Sequence, residues 1–182
     1  FHPLETSRQG VFACGSFTEP KDIPDSVVQA SGAAAKALAV VGKSRGTLVR
    51  QKEYMPEREF LPEEQLRIGV FVCSCGSNIA GTVDVKDVVN VARTLPGVVY
   101  AENTTYTCSA DSLMLIQAKV KELNLNRLVV ASCSPRTHEP LCRETIREVG
   151  MNPYLFEMAN IRDQCSWVHM GKNEAATEKA KE

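Results

Sequence analysis

From residue 67 to about residue 170 the sequence alternates short apolar runs with amphipathic stretches of helical period. The apolar runs predict strands at residues 68–72, 98–102, 127–132 and 154–158, and the stretches between them predict helices at 84–94, 110–123 and 138–149. Continuous apolar strands that alternate with helices are typical of a parallel sheet covered on both faces. We therefore predict an α/β, Rossmann-like three-layer domain over residues 67–170.

Cysteines follow each of the predicted strands. They are Cys73 and Cys75 after the first strand, Cys108 after the second, Cys133 after the third and Cys165 after the fourth; we call these five the rim cysteines. Right-handed crossovers place the carboxyl ends of parallel strands at one edge of the sheet, which is where open α/β sheets bind ligands. Helix N-termini at that edge favour the negative charge of thiolates. The sequence thus predicts a group of thiols at one edge.

Two kinds of metal site, or none, fit these thiols. Structural zinc usually takes its ligands from two close pairs, whereas here one close pair is followed by single cysteines. A [4Fe–4S] cluster needs four thiolates that a rigid fold brings together, and their spacing can be wide. Buried cysteines also serve as small apolar residues, which is the role we expect for Cys14 and Cys142.

The residues do not settle which four rim cysteines would bind. Whether Cys73 and Cys75 both reach one cluster depends on whether the chain turns at Ser74. We therefore rank Cys75, Cys108 and Cys133 first.

Composition narrows the function classes. Seven cysteines without a secretion signal favour metal or redox chemistry over a disulfide framework, because a reducing compartment keeps thiols free. A net charge of −1 without a basic stripe predicts no nucleic-acid partner. No apolar run reaches the roughly 18 to 20 residues of a membrane span, so we expect a cytoplasmic protein. The first residue, Phe1, and a helical stretch still running at residues 171–182 suggest a piece of a larger protein.

The front segment has its own strand and helix pattern. We predict a strand at residues 11–14, a turn at Gly15, and a helix at residues 25–41 with Asp25 or Ser26 as N-cap and Gly42 as its end. Charged residues and prolines over 43–66 predict a linker with one short strand at 47–50.

Four further side chains fall near the predicted edge. Arg136 and His138 follow the third strand, and Trp167 and His169 follow the fourth. They could face a site, or they could pack in the first turns of the following helices. Because no general acid, base or nucleophile can be identified, we assign no catalytic residue.

Four long motifs carry a family resemblance. VCSCGSNIAGTVDV, VVYAENTTYTCS, VVASCSPRTHEP and NPYLFEMANIRDQCSWVHM together resemble the N-terminal iron–sulfur domain of the A-type subunit of heterodisulfide reductase, an iron–sulfur flavoprotein of methanogens and other anaerobes. The resemblance covers residues 67–182. It implies a [4Fe–4S] cluster bound by cysteines of these motifs, here Cys73, Cys75, Cys108, Cys133 and Cys165, with the four ligands left open.

The front segment resembles another part of the same flavoprotein. GVFACGSFTEPKDIPDSVVQASGAAAKAL is similar to the closing FAD-binding motif of its thioredoxin-reductase-like domain. That likeness implies contacts of Gly15 and Ser16 with the FAD chain, and places Ile23, Pro24, Gln29 and Ala30 near the isoalloxazine ring. Ser16 stands where many such proteins have Asp, and Phe17 where homologues often have Cys. The G-x-G-x-x-G half is absent from the sequence, so we expect FAD only in a longer parent protein.

The resemblance implies residues 1–42 as the end of an FAD domain, 43–66 as linker, 67–170 as the iron–sulfur domain and 171–182 as the start of a following helix. It also implies electron transfer between the cluster and FAD, with other heterodisulfide reductase subunits and ferredoxin or hydrogenase-type electron donors as partners. The alternative is a non-redox α/β docking module with structural zinc or free thiols.

Overall fold

The computed structural model describes residues 2–61 and 63–182. They form two compact units, Phe1–Lys52 and Glu53–Glu182. The division lies within the segment predicted as a linker, while the predicted domain limits themselves stay predictions. Across the described residues we find no helix with the length and apolar character that a bilayer crossing requires.

One long helix, α1 (Ile23–Val41), dominates the first unit. It begins two residues earlier than predicted, because Asp22, and not Asp25 or Ser26, is the N-cap. The Asp22 carboxylate accepts a hydrogen bond from the Asp25 amide at 2.8 Å, and Pro24 stands in the first turn, where a missing N–H costs nothing. The helix ends at Gly42, as predicted.

Both strands predicted for the first unit are wrong. In place of the strand at 11–14, Phe12 forms one isolated antiparallel bridge with Glu5, and a 3-10 turn follows at Gly15–Phe17. Residues 47–50 begin in a turn, in which the Thr47 amide donates to the Ser44 carbonyl at 3.1 Å. β-branched residues form a strand only where a partner strand satisfies their backbone groups.

The second unit contains a sheet of four parallel strands in the order β2-β1-β3-β4. Its strands are β1 (Ile68–Cys73), β2 (Val98–Thr104), β3 (Arg127–Ser132) and β4 (Phe156–Asn160), and its helices are α2 (Val85–Ala92), α3 (Ala110–Glu122), α4 (Pro135–Arg147) and α5 (Asn173–Lys181). Val70 of β1 lies opposite Ala101 of β2 and Val129 of β3. The predicted parallel α/β architecture is confirmed.

Apolar residues fill both sides of this sheet, which makes three layers. Helices α2 and α5 cover one face, where Val72 packs with Val88 and Ala176. Helices α3 and α4 cover the other, where Phe71 packs with Ile146. Because successive strand residues point to opposite faces, neighbours such as Phe71 and Val72 supply the two cores separately.

Local capping moves two of the predicted bounds. Helix α4 begins at Pro135 and not at residue 138, because the Ser134 hydroxyl accepts a hydrogen bond from the Arg136 amide and caps it. Strand β4 begins at Phe156 and not at residue 154, because Asn152 holds the preceding residues in a turn, its side-chain oxygen accepting from the Tyr154 amide at 2.8 Å.

The central strand β3 should be sensitive to truncation. Leu128 is 1% exposed, so Leu128→Ala should lower the free energy of unfolding by about 2–5 kcal/mol through lost burial and a residual cavity. Leu95 is 47% exposed and serves as the matched control, for which Leu95→Ala should change it by about 0.5 kcal/mol or less. Urea denaturation followed by circular dichroism measures both. Equal losses in the two variants would contradict this assignment of the core.

Candidate metal centre

Cysteines from three strand ends line a single cavity of about 50 Å³ at the carboxyl edge of the sheet. We call it the thiol cavity; its cysteines are Cys73, Cys75, Cys108, Cys133 and Cys142. The first four are rim cysteines, as the sequence predicted for this edge. Its volume exceeds the 10–15 Å³ or so that one water needs, so the thiols surround a space and do not meet at a point.

A turn of the backbone brings Cys73 and Cys75 to the same cavity. Strand β1 ends at Cys73, and Cys75 has a left-handed conformation with φ 44° and ψ 41°. The Cys75 amide donates to the Thr105 carbonyl at 3.0 Å, and its carbonyl accepts from the Asn78 amide at 3.1 Å. A left-handed non-glycine residue costs of order 1 kcal/mol, and such strain clusters at functional sites. The turn therefore places Cys75 beside the cavity that Cys73 also lines.

The Cys73 sulfur accepts a hydrogen bond from the backbone. The Thr107 amide lies 3.4 Å from Cys73 Sγ, and the Thr107 hydroxyl is paired with that of Thr104 at 2.6 Å. All three residues are buried, so the donor is held in place. A backbone donor therefore holds the Cys73 sulfur in place at the edge of the cavity.

Cys108 and Cys133 each directly precede the N-cap residue of a helix. Ser109 caps α3, its hydroxyl accepting from the Ser112 amide, and Ser134 caps α4. The N-terminus of each of these 13-residue helices therefore lies next to a thiol, where its partial positive charge favours an anion. Cys108 is exposed, whereas Cys133 is buried.

Cys142 is the thiol whose position the sequence did not predict. It lies inside α4, four residues after His138, and both side chains line the thiol cavity. Residues at this spacing share one helix face, which is the sequence signal that links them. Cys142 is 2% exposed and so also fills the core, the role predicted for it.

Cys165 does not line the thiol cavity. It lies in a π-helical turn, Arg162–Trp167, that follows β4, and it packs in the core under α5. Its sulfur is 3.9 Å from the Asn160 carbonyl oxygen. The structure thus brings four of the five rim cysteines together and leaves Cys165 outside the group.

The four other side chains predicted near this edge also differ in whether they line the thiol cavity. His138 lines the thiol cavity, whereas Arg136 does not. Trp167 is 43% exposed and lies against the Arg162 guanidinium, and His169 Nδ1 is 2.9 Å from the Cys165 carbonyl oxygen. Arg162 itself lines the cavity and was missed. The signal that could have found it is position, since it follows its strand as the rim cysteines follow theirs.

In the first unit, Gly15 and Gln29 are in direct contact. The Gly15 amide donates to Gln29 Oε1 at 2.9 Å, and Gly15 has a φ of 62°, which favours glycine. The remaining predicted FAD contacts, Ser16, Ile23, Pro24 and Ala30, are exposed.

A [4Fe–4S] cluster requires four thiolates around one space, because each binds a different iron, and five thiols surround this cavity. In zinc sites, by contrast, the ligands meet about 2.3 Å from a single ion. Among residues 2–61 and 63–182, no three His, Cys, Asp or Glu side chains are grouped so as to hold one ion. The thiols around the cavity are the kind of donor that an iron–sulfur cluster uses.

Comparison with known proteins identifies close relatives. An A-type iron–sulfur subunit of the CoB–CoM heterodisulfide reductase of Methanopyrus kandleri is 56% identical over 122 residues, which are 67% of this chain and 19% of that protein. Two thirds of the chain is homologous to the A-type subunit of heterodisulfide reductase. No family model matches the chain.

Two further relatives carry the same kind of name. One is the A-type subunit of the H2:CoB–CoM heterodisulfide,ferredoxin reductase of Methanothermobacter thermautotrophicus, 54% identical over 65% of this chain and 18% of its own length. The other is the A-type subunit of the ferredoxin/F420H2-dependent CoB–CoM heterodisulfide reductase of Methanosarcina acetivorans, 47% identical over 63% of this chain and 14% of its own length. The chain thus spans less than a fifth of these heterodisulfide reductase subunits.

Burial makes the protons of these thiols harder to remove. It raises the pKa of Cys75, Cys108 and Cys133, and the charge of Cys73 raises each further. Arg162 lowers the pKa of Cys75 and Cys133 but does not overcome burial. For Cys142, burial raises the pKa to about 12. Without metal, these groups are neutral thiols at pH 7.

The Cys142 thiol should make stability depend on pH. Its folded pKa lies above the ordinary value of 9.0, so its contribution is complete below pH 9 and is lost as the pH rises toward 12. A pKa change of this size corresponds to on the order of 4 kcal/mol. In metal-free, reduced protein, the free energy of unfolding should therefore fall more steeply above pH 9 in the wild type than in Cys142→Ala. Urea titrations at several pH values measure both slopes, and parallel slopes would contradict the assignment.

Proposed function

We propose that the second unit binds a [4Fe–4S] cluster through Cys73, Cys75, Cys108 and Cys133, and transfers electrons as part of a heterodisulfide-reductase-type oxidoreductase. The observation that carries the proposal is the convergence of these four thiols, delivered by three strand ends, on the thiol cavity. The names of the relatives, which include "iron-sulfur subunit", support the kind of cofactor.

Three features of the chain suit this site to a cluster: a backbone donor, two helix N-termini and an apolar wall. The Thr107 amide and the N-termini of α3 and α4 supply positive partial charge to the thiolates. Val130 and Met158 give the cavity an apolar wall that limits water. When bound, a [4Fe–4S] cluster supplies one-electron transfer, and hydrogen bonds to sulfur, burial and local charge set its potential.

The partners follow from the relatives and belong to the proposal. Names of the relatives specify H2, ferredoxin or F420H2 together with the CoB–CoM heterodisulfide. We therefore propose that the longer protein works with other heterodisulfide reductase subunits and with ferredoxin or hydrogenase-type electron donors. The second unit would relay electrons to or from FAD.

The first unit would supply one side of the FAD site. The contact between Gly15 and Gln29 supports this, because it holds a tight turn against the first half of α1. A second, G-x-G-x-x-G-containing half is needed to bind the pyrophosphate, and this sequence has none.

Anaerobic reconstitution with iron and sulfide tests the cluster. The wild type should take up about four irons and four sulfides per chain and show a broad visible absorption that dithionite bleaches. Cys75→Ser, Cys108→Ser and Cys133→Ser should each lose most of the iron, because a hydroxyl is a poor substitute for a thiolate ligand. Cys14→Ser, in the first unit, is the matched control and should keep it.

Three other outcomes would overturn the proposal or its set of ligands. A colourless protein that holds stoichiometric zinc would overturn the proposal in favour of a structural metal. Wild-type protein that holds neither iron nor zinc after reconstitution would overturn it as well. Loss of iron in Cys165→Ser together with retention in Cys73→Ser would leave the cluster in place but refute the ligand set.

A further inference from the structure

Arg162 brings a fixed positive charge to the thiol cavity. It is the first residue of the π-helical turn after β4, and its side chain is only 19% exposed. Of the described residues that line the cavity, Arg162 alone carries a permanent charge. This guanidinium therefore interacts electrostatically with any charge that is added to the cavity.

The backbone around Arg162 is hydrogen-bonded to two of the three thiol-bearing loops. The Ile161 amide donates to the Ser132 carbonyl at 2.9 Å, directly before Cys133. The Ser166 hydroxyl donates to the Asn78 carbonyl at 2.6 Å, in the loop that follows Cys75. The turn itself is closed by the Ser166 amide, which donates to the Ile161 carbonyl at 3.0 Å. Because a π-helical turn is rare and often lies at a functional site, its position here is informative.

Two neighbours fix the side chain of Arg162. Its guanidinium carbon lies 4.5 Å from the centre of the Trp167 ring, and its Nε–H donates to the Asp163 carboxylate at 3.3 Å. A guanidinium has five N–H donors, and the contact with Asp163 uses one of them. The others remain available to sulfur acceptors in the cavity that Arg162 lines together with Cys75 and Cys133.

We infer that Arg162 is a positioning residue whose charge raises the reduction potential of a cluster held by the neighbouring thiols; this rests on the function proposed above. Reduction adds one electron to the cavity, and no bond of the protein forms or breaks. The added negative charge is stabilised by a nearby cation in a site of low dielectric constant. Trp167 and Asp163 orient that cation, so its effect does not depend on a mobile side chain.

The test is a potentiometric titration of reconstituted protein, followed by electron paramagnetic resonance. Arg162→Gln should bind iron as the wild type does, yet its midpoint should be more negative. We expect the equilibrium constant for reduction to fall about tenfold, which for a one-electron couple is about 59 mV.

Arg147→Gln is the matched control. Arg147 also stacks on an aromatic ring, that of Tyr54, with its guanidinium carbon 4.0 Å from the ring centre. It lies at the far end of α4 and does not line the thiol cavity. The substitution removes the same charge and the same kind of stacking, so the midpoint should stay at the wild-type value.

Arg162→Lys tests whether the charge or the planar shape of the side chain determines the midpoint potential. It keeps the positive charge and loses the planar guanidinium, so its midpoint should lie closer to the wild type than to Arg162→Gln. If Arg162→Gln takes up no iron, the lysine variant decides: a wild-type-like midpoint supports the inference, and failure to load overturns it. A midpoint in Arg162→Gln equal to that of Arg147→Gln also overturns it. Wild-type protein without a cluster would instead refute the proposed function.

Discussion

The common direction of the four strands is the constraint on which the site depends. In a parallel sheet every strand delivers its carboxyl end to one edge, so cysteines far apart in sequence meet without any long-range pairing of their own. The strand order places β1 between β2 and β3, so the three thiol-bearing ends are adjacent. Cys75, in a left-handed conformation just beyond β1, completes the arrangement, and this one strand end contributes two sulfurs to the cavity.

Gathering thiols in a partly buried cavity opposes their ionisation. Burial raises the pKa of Cys75, Cys108 and Cys133, so the metal-free protein holds protons on sulfur. Metal binding requires thiolates, and it therefore releases those protons and depends on pH. Arg162 lowers the pKa of Cys75 and Cys133, and the N-termini of α3 and α4 add positive partial charge, but burial has the larger effect. The fold therefore keeps the metal-free thiols protonated, and metal binding must supply the free energy that forms the thiolates.

Much of the second unit could be predicted because its helices and strands bury regular apolar faces. Strand β3 occupies the predicted residues, and the other elements differ by a few residues at their ends. The strands predicted at 11–14 and 47–50 do not form, since a run of strand-favouring residues does not show whether a partner lies beside it.

Fewer features of the site than of the fold could be predicted from the sequence. The strand ends predicted the convergence of the thiols, but the conformation of Cys75 depends on a tertiary hydrogen bond to Thr105. Cys142 was read as a packing residue because it has no strand end of its own. Arg162 was missed because a π-helical turn follows from contacts with Ser132 and Asn78, which no local period reveals.

Because Cys108 is exposed, the two sides of the cavity differ in their access to solvent. Cys73 and Cys133 are enclosed by the fold, whereas Cys108 reaches the surface. Oxidation of sulfur follows solvent access and thiolate character. Oxidation of the metal-free thiols in air would therefore begin at Cys108, the one cysteine among the described residues of the cavity that solvent reaches freely.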